Sequence, residues 1–308
     1  MLTSMVQALL VLALSPLFTG LIRRSKAYFQ GRQGASVLQP YRDLAKLFRK
    51  DSVLSHDASW IMTITPYVCM TAVIAAALMV PFITDSSLGF VGDLIVVVYL
   101  FGTMRFFMAL AGLDAGSSFG GMGSSREMTV SAIVEPTILL SIFTMALISG
   151  TTDLSGISRN LATSGLDLVR PALFLALAAF FISTLAENAR VPVDNPSTHL
   201  ELTMIHEAMV LEHSGKHLAL MEWSSMTKLL LYAVIMANVF LPWGIATDLT
   251  AIGLATGIVA MSLKLLLFGL AIALVESSMA KLRLFRLPNL LTVSFSLSLL
   301  AVISYYIL

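Results

Sequence analysis

Residues 2–22 read LTSMVQALLVLALSPLFTGLI, 21 positions without a charged side chain, followed at once by Arg23, Arg24 and Lys26. A helix rises about 1.5 Å per residue, so this run reaches about 31 Å, the thickness of a bilayer's hydrocarbon core. Further apolar runs lie at about 61–83, 88–112, 127–149, 170–187, 226–247, 250–276 and 287–307. Inside hydrocarbon every backbone polar group needs an internal partner, which leaves only helices and closed barrels; the alternating ten-residue segments of a barrel are missing. The expected fold is therefore all-α, a polytopic membrane protein of about eight transmembrane helices with amphipathic cytoplasmic helices. With no internal repeat and no low-complexity linker, residues 1–308 read as a single membrane domain. The run from Met1 to Ile22 has no basic region before it and no small-residue cleavage site after it, which points to an anchor rather than a cleaved signal.

Composition agrees. The chain is 57% hydrophobic and 12% charged, against about 25% charged for soluble domains, so a water-soluble fold is excluded. A net charge of +1 suggests no nucleic-acid partner, and the single cysteine, Cys69, allows neither a disulfide framework nor a thiolate metal site. Lys and Arg are distributed unevenly. The loops after spans 1, 3, 5 and 7 hold 14 of them and the opposite loops hold only Arg159. That bias puts those four loops in the cytoplasm and both termini on the other side.

The first of these loops contains VLQPYRDLAKLFRK, residues 37–50. Val37, Leu38, Tyr41, Leu44, Ala45 and Phe48 recur at helical spacing with Arg42, Lys46 and Arg49 opposite, which predicts an amphipathic helix on the interface or packed on the bundle. By composition alone this is a helix anchored on lipid headgroups. Between spans 5 and 6, residues 187–225 form an acidic segment: Glu187, Asp194, Glu201, Glu207, Glu212 and Glu222 face only Arg190 and Lys216. These acids run against the basic trend of that surface, so a protein partner or a proton path is expected rather than lipid. Asn195-Pro196, with Thr198 and Glu201 at capping-box spacing, predicts a helix start. His199, His206 and His213 share a helical face, but seven-residue steps of about 10.5 Å are too long for one metal ion.

Charges inside spans are costly and each marks a candidate functional group. They are Asp93, Arg105, Glu135, Lys264 and Glu276, with Glu187 and Lys228 near span ends. Arg105 and Lys264 are expected either to pair with acids or to act in transport. Glu135 has no basic neighbour in its own helix, and Pro136 loosens the backbone beside it. It is expected to be desolvated and suited to proton transfer. Asp114 and Glu127 flank GSSFGGMGSSR, whose glycines suggest an irregular, mobile connection.

Two cytoplasmic motifs carry a resemblance. In GRQGASVLQPYRDLAKLF, residues 31–48, Arg32, Gly34, Leu38, Gln39, Pro40, Asp43, Lys46 and Leu47 match the pattern of the complex I membrane-linker family. In the acidic segment Ala186, Glu187, Arg190, Pro192, Asp194, Pro196, Glu201, Leu202, Glu212, Ser214 and Gly215 match that family's loop. Ala35 and Ser36 replace the Pro-Asn of quinone-reducing members, which argues against a quinone. Tyr41-Arg42-Asp43 and Thr198-His199-Leu200-Glu201-Leu202 resemble the branch of formate hydrogenlyase and membrane-bound nickel–iron hydrogenases.

The resemblance covers nearly the whole chain and implies a non-redox membrane subunit, not catalytic alone, that couples a peripheral redox arm to ion translocation in the inner membrane. It implies proton-relay or coupling roles for Glu135, Glu187, Asp194, Glu201, Glu212, Asp114, Arg105 and Lys264. Docking of the redox arm would fall to Arg32, Gln39, Arg42, Asp43, Lys46 and Arg190. The chain itself would bind no cofactor; a nickel–iron site and iron–sulfur clusters are expected in partners, namely hydrogenase large- and small-subunit homologues and an iron–sulfur subunit, beside antiporter-like membrane subunits. The alternatives are a quinone-site subunit of respiratory complex I and, from another class, a stand-alone secondary transporter.

Overall fold

A computed structural model describes residues 2–84, 94–163, 170–194, 204–244 and 250–307. Among these the chain forms helices: α1 (Leu2–Phe29), α2 (Gln39–Phe48), α3 (Trp60–Met79), α4 (Leu94–Asp114), α5 (Ser118–Ser149), α6 (Leu154–Thr163), α7 (Pro171–Glu187), α8 (His206–Val210), α9 (Gly215–Val239), α10 (Ala251–Ser278) and α11 (Leu287–Ile307). Seven are long and apolar enough to cross a membrane, and α7 is a shorter apolar helix. The expected all-α polytopic fold is therefore present, with a helix for each of the eight apolar runs.

Three boundaries differ from the sequence reading for one reason: backbone hydrogen bonding does not stop where hydropathy does. Helix α9 begins at Gly215, so the acidic segment that was expected to run to 225 ends eleven residues sooner. Helix α5 begins at Ser118, capped by the Ser117 hydroxyl, which accepts from the Gly120 amide at 3.1 Å. The glycines expected to loosen this stretch instead permit close approach: a Cβ on Gly120 would lie 2.2 Å from the Gly112 carbonyl oxygen of α4. Helix α6 was not foreseen; Asp153 caps it, accepting from the Gly156 amide at 2.7 Å, and Leu154, Ile157 and Leu161 bury its apolar face.

Helix α9 is the inner staff, buried at every position from Met226 to Val239 and packed on α1, α3, α7 and α10. Its Tyr232 stacks on Phe101 of α4 with ring centroids 4.8 Å apart and tilts against Phe180 of α7 at 6.0 Å. Helix α2 lies on α1 and α9. Leu44 is buried against Ala219 and Met226, Phe48 meets Trp223 edge-to-face at 6.2 Å, and the Tyr41 hydroxyl donates to the Ala13 carbonyl. Of the expected apolar face, Ala45 is exposed and sits among Arg42, Lys46, Arg49 and Lys50.

The loops after spans 1, 3, 5 and 7 meet on one side, as the distribution of Lys and Arg between alternate loops predicts. Ser214 exchanges hydrogen bonds with Val53, donating to its carbonyl at 2.8 Å and accepting from its amide at 2.7 Å. Asp114 accepts from the Ser59 and Met62 amides at 2.9 and 3.2 Å and so caps α3. The Leu282 amide donates to the Pro192 carbonyl at 2.9 Å.

Candidate functional site

The last residue of α7 is the hub. Glu187 Oε1 accepts from Arg105 Nη2 of α4 at 2.8 Å and from Lys228 Nζ of α9 at 2.7 Å. Lys228 also donates to the Glu187 carbonyl at 3.0 Å, which uses an orphan acceptor of the helix end. The other arm of the guanidinium, Arg105 Nη1, lies 3.4 Å from Glu135 Oε2 of α5. Lys228, Glu187, Arg105 and Glu135 thus form a chain of alternating charge across four helices. Side-chain exposure is 4% for Lys228, 2% for Glu187, 6% for Arg105 and 28% for Glu135. The expectation of a lone, desolvated Glu135 is therefore corrected. It has no base in its own helix, but α4 supplies one, and the carboxylate opens into a 330 Å³ depression lined by Tyr99, Gly102, Phe106, Met128 and Ser131. Pro136 cannot donate to the Ala132 carbonyl, which leaves a polar notch in α5 beside the acid.

The loop that follows α7 is tied down by a second set of charges. Asp194 pairs with Lys281 at 2.8 Å, and its other oxygen accepts from the Ile205 and His206 amides at 3.2 and 3.1 Å, which starts α8. Arg190 and Lys26 share Glu276 of α10, at 3.3 and 3.0 Å. Burial, then the nearby Lys228 ammonium, pushes the His206 imidazole below its usual range. A cavity of about 130 Å³ lined by Arg23, Asn188, Arg190, His206, Glu207 and Glu222 opens beside this loop.

Of the residues assigned to the relay, Arg105, Glu135 and Glu187 come together; Asp194 holds the adjacent loop. Asp114 is a helix cap at the end of α4, and Glu212 is exposed with no ion pair among the described residues. Lys264, expected to pair with an acid or act in transport, lies on the buried face of α10 between Met261 and Phe268, with no ion pair or hydrogen bond among the described residues. Glu201, Asp93, His199 and the Asn195-Pro196 helix start lie outside the described residues. His206 and His213 do not share a helical face, because α8 ends at Val210.

Of the residues assigned to docking, Arg42 and Lys46 are exposed on α2, and Gln39 donates to Asp43 at 2.8 Å one turn away. Arg32 is exposed and donates to Gln30, whereas Arg190 is engaged with Glu276. Glu127 of α5, which the sequence reading named only as flanking the glycine-rich stretch and assigned no role, is only 6% exposed and without an ion pair or hydrogen bond among the described residues. Its eight-residue spacing from Glu135 puts both acids near one helical face, a signal that could have found it. No group of three His, Cys, Asp or Glu side chains among the described residues could hold a metal ion.

The comparisons agree with the fold and with the family to which the motifs pointed. The NADH dehydrogenase family model matches residues 2–306. The chain is 37% identical over 301 residues to formate hydrogenlyase subunit 4 of Escherichia coli K12, covering 97% of each chain. It is 36% identical to hydrogenase-4 component C of the same organism, covering 97% of this chain and 93% of that one. A subunit of the membrane-bound sulfane sulfur reductase, an archaeal respiratory membrane complex, shares the fold with a TM-score of 0.82 at 21% identity, over 98% of this chain and 99% of that one. The chain belongs to the NADH dehydrogenase family of membrane subunits.

Proposed function

We propose that this chain is the membrane-anchoring and coupling subunit of a multisubunit, hydrogenase-type oxidoreductase in the inner membrane. Its relatives are subunits of formate hydrogenlyase and hydrogenase-4. The observation that carries the reading is the charge chain from Lys228 through Glu187 and Arg105 to Glu135. One end adjoins the loop that Asp194 and Arg190 lock in place; the other opens laterally between α4 and α5. A displacement or protonation at the loop changes how Glu187 shares its two cations, and Arg105 passes that change to Glu135. In a low-dielectric interior such linked ionic bonds respond as a unit. In this reading the basic loops are cytoplasmic and both termini lie on the other side. The exposed Arg42 and Lys46 of α2 face a redox arm that brings its own nickel–iron and iron–sulfur centres, and Glu135 faces an antiporter-like neighbour.

Purification in mild detergent with identification of the companions tests the assembly: a nickel–iron large-subunit homologue is expected, and a lone monodisperse chain that transports by itself refutes it. Glu135→Gln tests the coupling. Turnover or ion translocation should fall while the complex stays assembled; full coupled activity removes Glu135 from the path.

A further inference from the structure

The charges around Glu187 balance without Glu127. Two cations, Arg105 and Lys228, meet one buried carboxylate, Glu187, and Arg105 also reaches Glu135, so two positive charges are matched by two negative ones. Glu127 is a third carboxyl group on the same helix as Glu135, and neither cation contacts it. It is 6% exposed, and no hydrogen-bond donor among the described residues reaches it.

The charged groups near enough to act on it are Glu187 from α7, Lys228 from α9, Arg105 from α4 and Asp194 from the loop before α8. Asp194 is neutralised by Lys281 at 2.8 Å, and the adjacent Arg126 donates to the Met204 carbonyl at 2.9 Å. An ionised Glu127 would stand in a largely buried site with an excess negative charge and no donor among the described residues to hold it, whereas the neutral acid needs no counter-ion. Close packing holds it in place: a Cβ on Gly123, one turn earlier, would lie 2.8 Å from both the Ala208 Cβ and the Ile205 carbonyl oxygen.

We infer that Glu127 holds the exchangeable proton of this cluster, as a neutral carboxylic acid lodged beside the Lys228–Glu187–Arg105–Glu135 chain. This deepens the coupling reading and rests on it for its role in turnover, although the site itself rests on burial and charge balance. When the chain shifts so that Arg105 or Lys228 is released toward Glu127, the O–H bond breaks, the carboxylate takes the freed cation, and the proton passes to the carboxylate that the cation has left. Charge is conserved at each stage. Two further buried polar atoms of the cluster, Arg105 Nε and Tyr232 Oη, have no hydrogen-bond partner among the described residues, so the region has unused bonding capacity for such a rearrangement.

The test is infrared spectroscopy on the intact complex in mild detergent, in water and in heavy water, with coupled turnover measured on the same samples. Wild type should show a protonated-carboxyl C=O band that shifts in heavy water. Glu127→Gln should remove that band while leaving the protein folded, because glutamine reproduces the shape and charge of the neutral acid. Glu127→Asp should retain a displaced band, and Glu135→Gln should leave it in place. A band that survives Glu127→Gln, or a Glu127→Gln protein that fails to fold while Glu127→Asp folds, overturns the inference. Coupled turnover should fall about 10²-fold in Glu127→Gln, the scale on which a positioned proton-transfer group acts. If the band is lost but coupled turnover is intact, the proton site stands and the coupling reading falls.

Discussion

Glu187→Gln isolates the energetic centre of the candidate site. The substitution keeps the volume of the side chain and removes one negative charge that two cations share at 2.8 and 2.7 Å, all three side chains being almost fully buried. At an effective dielectric of about 20, each contact is worth about 6 kcal/mol of bare Coulomb attraction. Much of this is offset by the cost of taking the charges out of water, and breaking a buried pair by removing one partner typically costs about 3–5 kcal/mol. Glu187→Gln strands two like charges at once and belongs at the upper end, about 5 kcal/mol. Arg105→Gln and Lys228→Gln each leave Glu187 with one cation, so each should cost less, about 3 kcal/mol.

Equilibrium unfolding in mixed micelles measures the three variants, and the double variant Arg105→Gln/Glu187→Gln should lose less than the sum of its parts because it removes a whole pair. If Glu187→Gln is no more damaging than either cation variant, or the double variant is additive, then Glu187 is not the shared counter-ion.

Two other expectations follow from local geometry. Burial, reinforced by the neighbouring His217, holds the His213 imidazole down to about 4. An unfolded histidine takes up its proton near 6.5, so the folded state is at full strength above that pH and loses stability as the pH falls toward 4. The loss should be about 3 kcal/mol, read from unfolding midpoints across the window, and His213→Phe should flatten the slope. Gly120→Ala would set a methyl group 2.2 Å from the Gly112 carbonyl oxygen, where backbone rather than a flexible side chain must yield. Overpacking of this kind costs about 1–3 kcal/mol, so a clear drop in the thermal midpoint is expected; an unchanged midpoint would show that α4 and α5 are not held this closely.

The membrane topology was largely legible because it rests on local, additive properties. Runs such as Leu2–Ile22 and 287–307 declare themselves by hydropathy alone, and the basic residues of alternate loops predicted that those loops share a side. The motif around Gln39 and Asp43 and the acidic loop from Glu187 to Asp194 point to the family by residue pattern alone. Helix ends were less legible. Lys216 and Glu222 suggested a polar segment before the sixth span, yet the helix runs through both, since charged side chains can extend from a helix that is still hydrogen-bonded. The glycine-rich stretch after Asp114 was misleading for a related reason. Glycine allows either a loose turn or the close contact of two backbones, and only the neighbouring helix determines which.

Hydropathy, charge distribution and motif are enough to set the fold class, the number of apolar spans, the shared side of the basic loops and the family. They also name the charges that have to be explained, because each carries a desolvation cost wherever it sits in a span. Which of them meet depends on how the helices pack. Arg105 and Glu187 are 82 positions apart and Lys228 is 41 beyond Glu187. No periodicity along one helix reports a contact between helices, because helix packing and rotation set it. The same packing brings Glu135 against a base from α4, leaves Lys264 without a partner among the described residues and buries Glu127 beside a cluster whose positive charge is already matched.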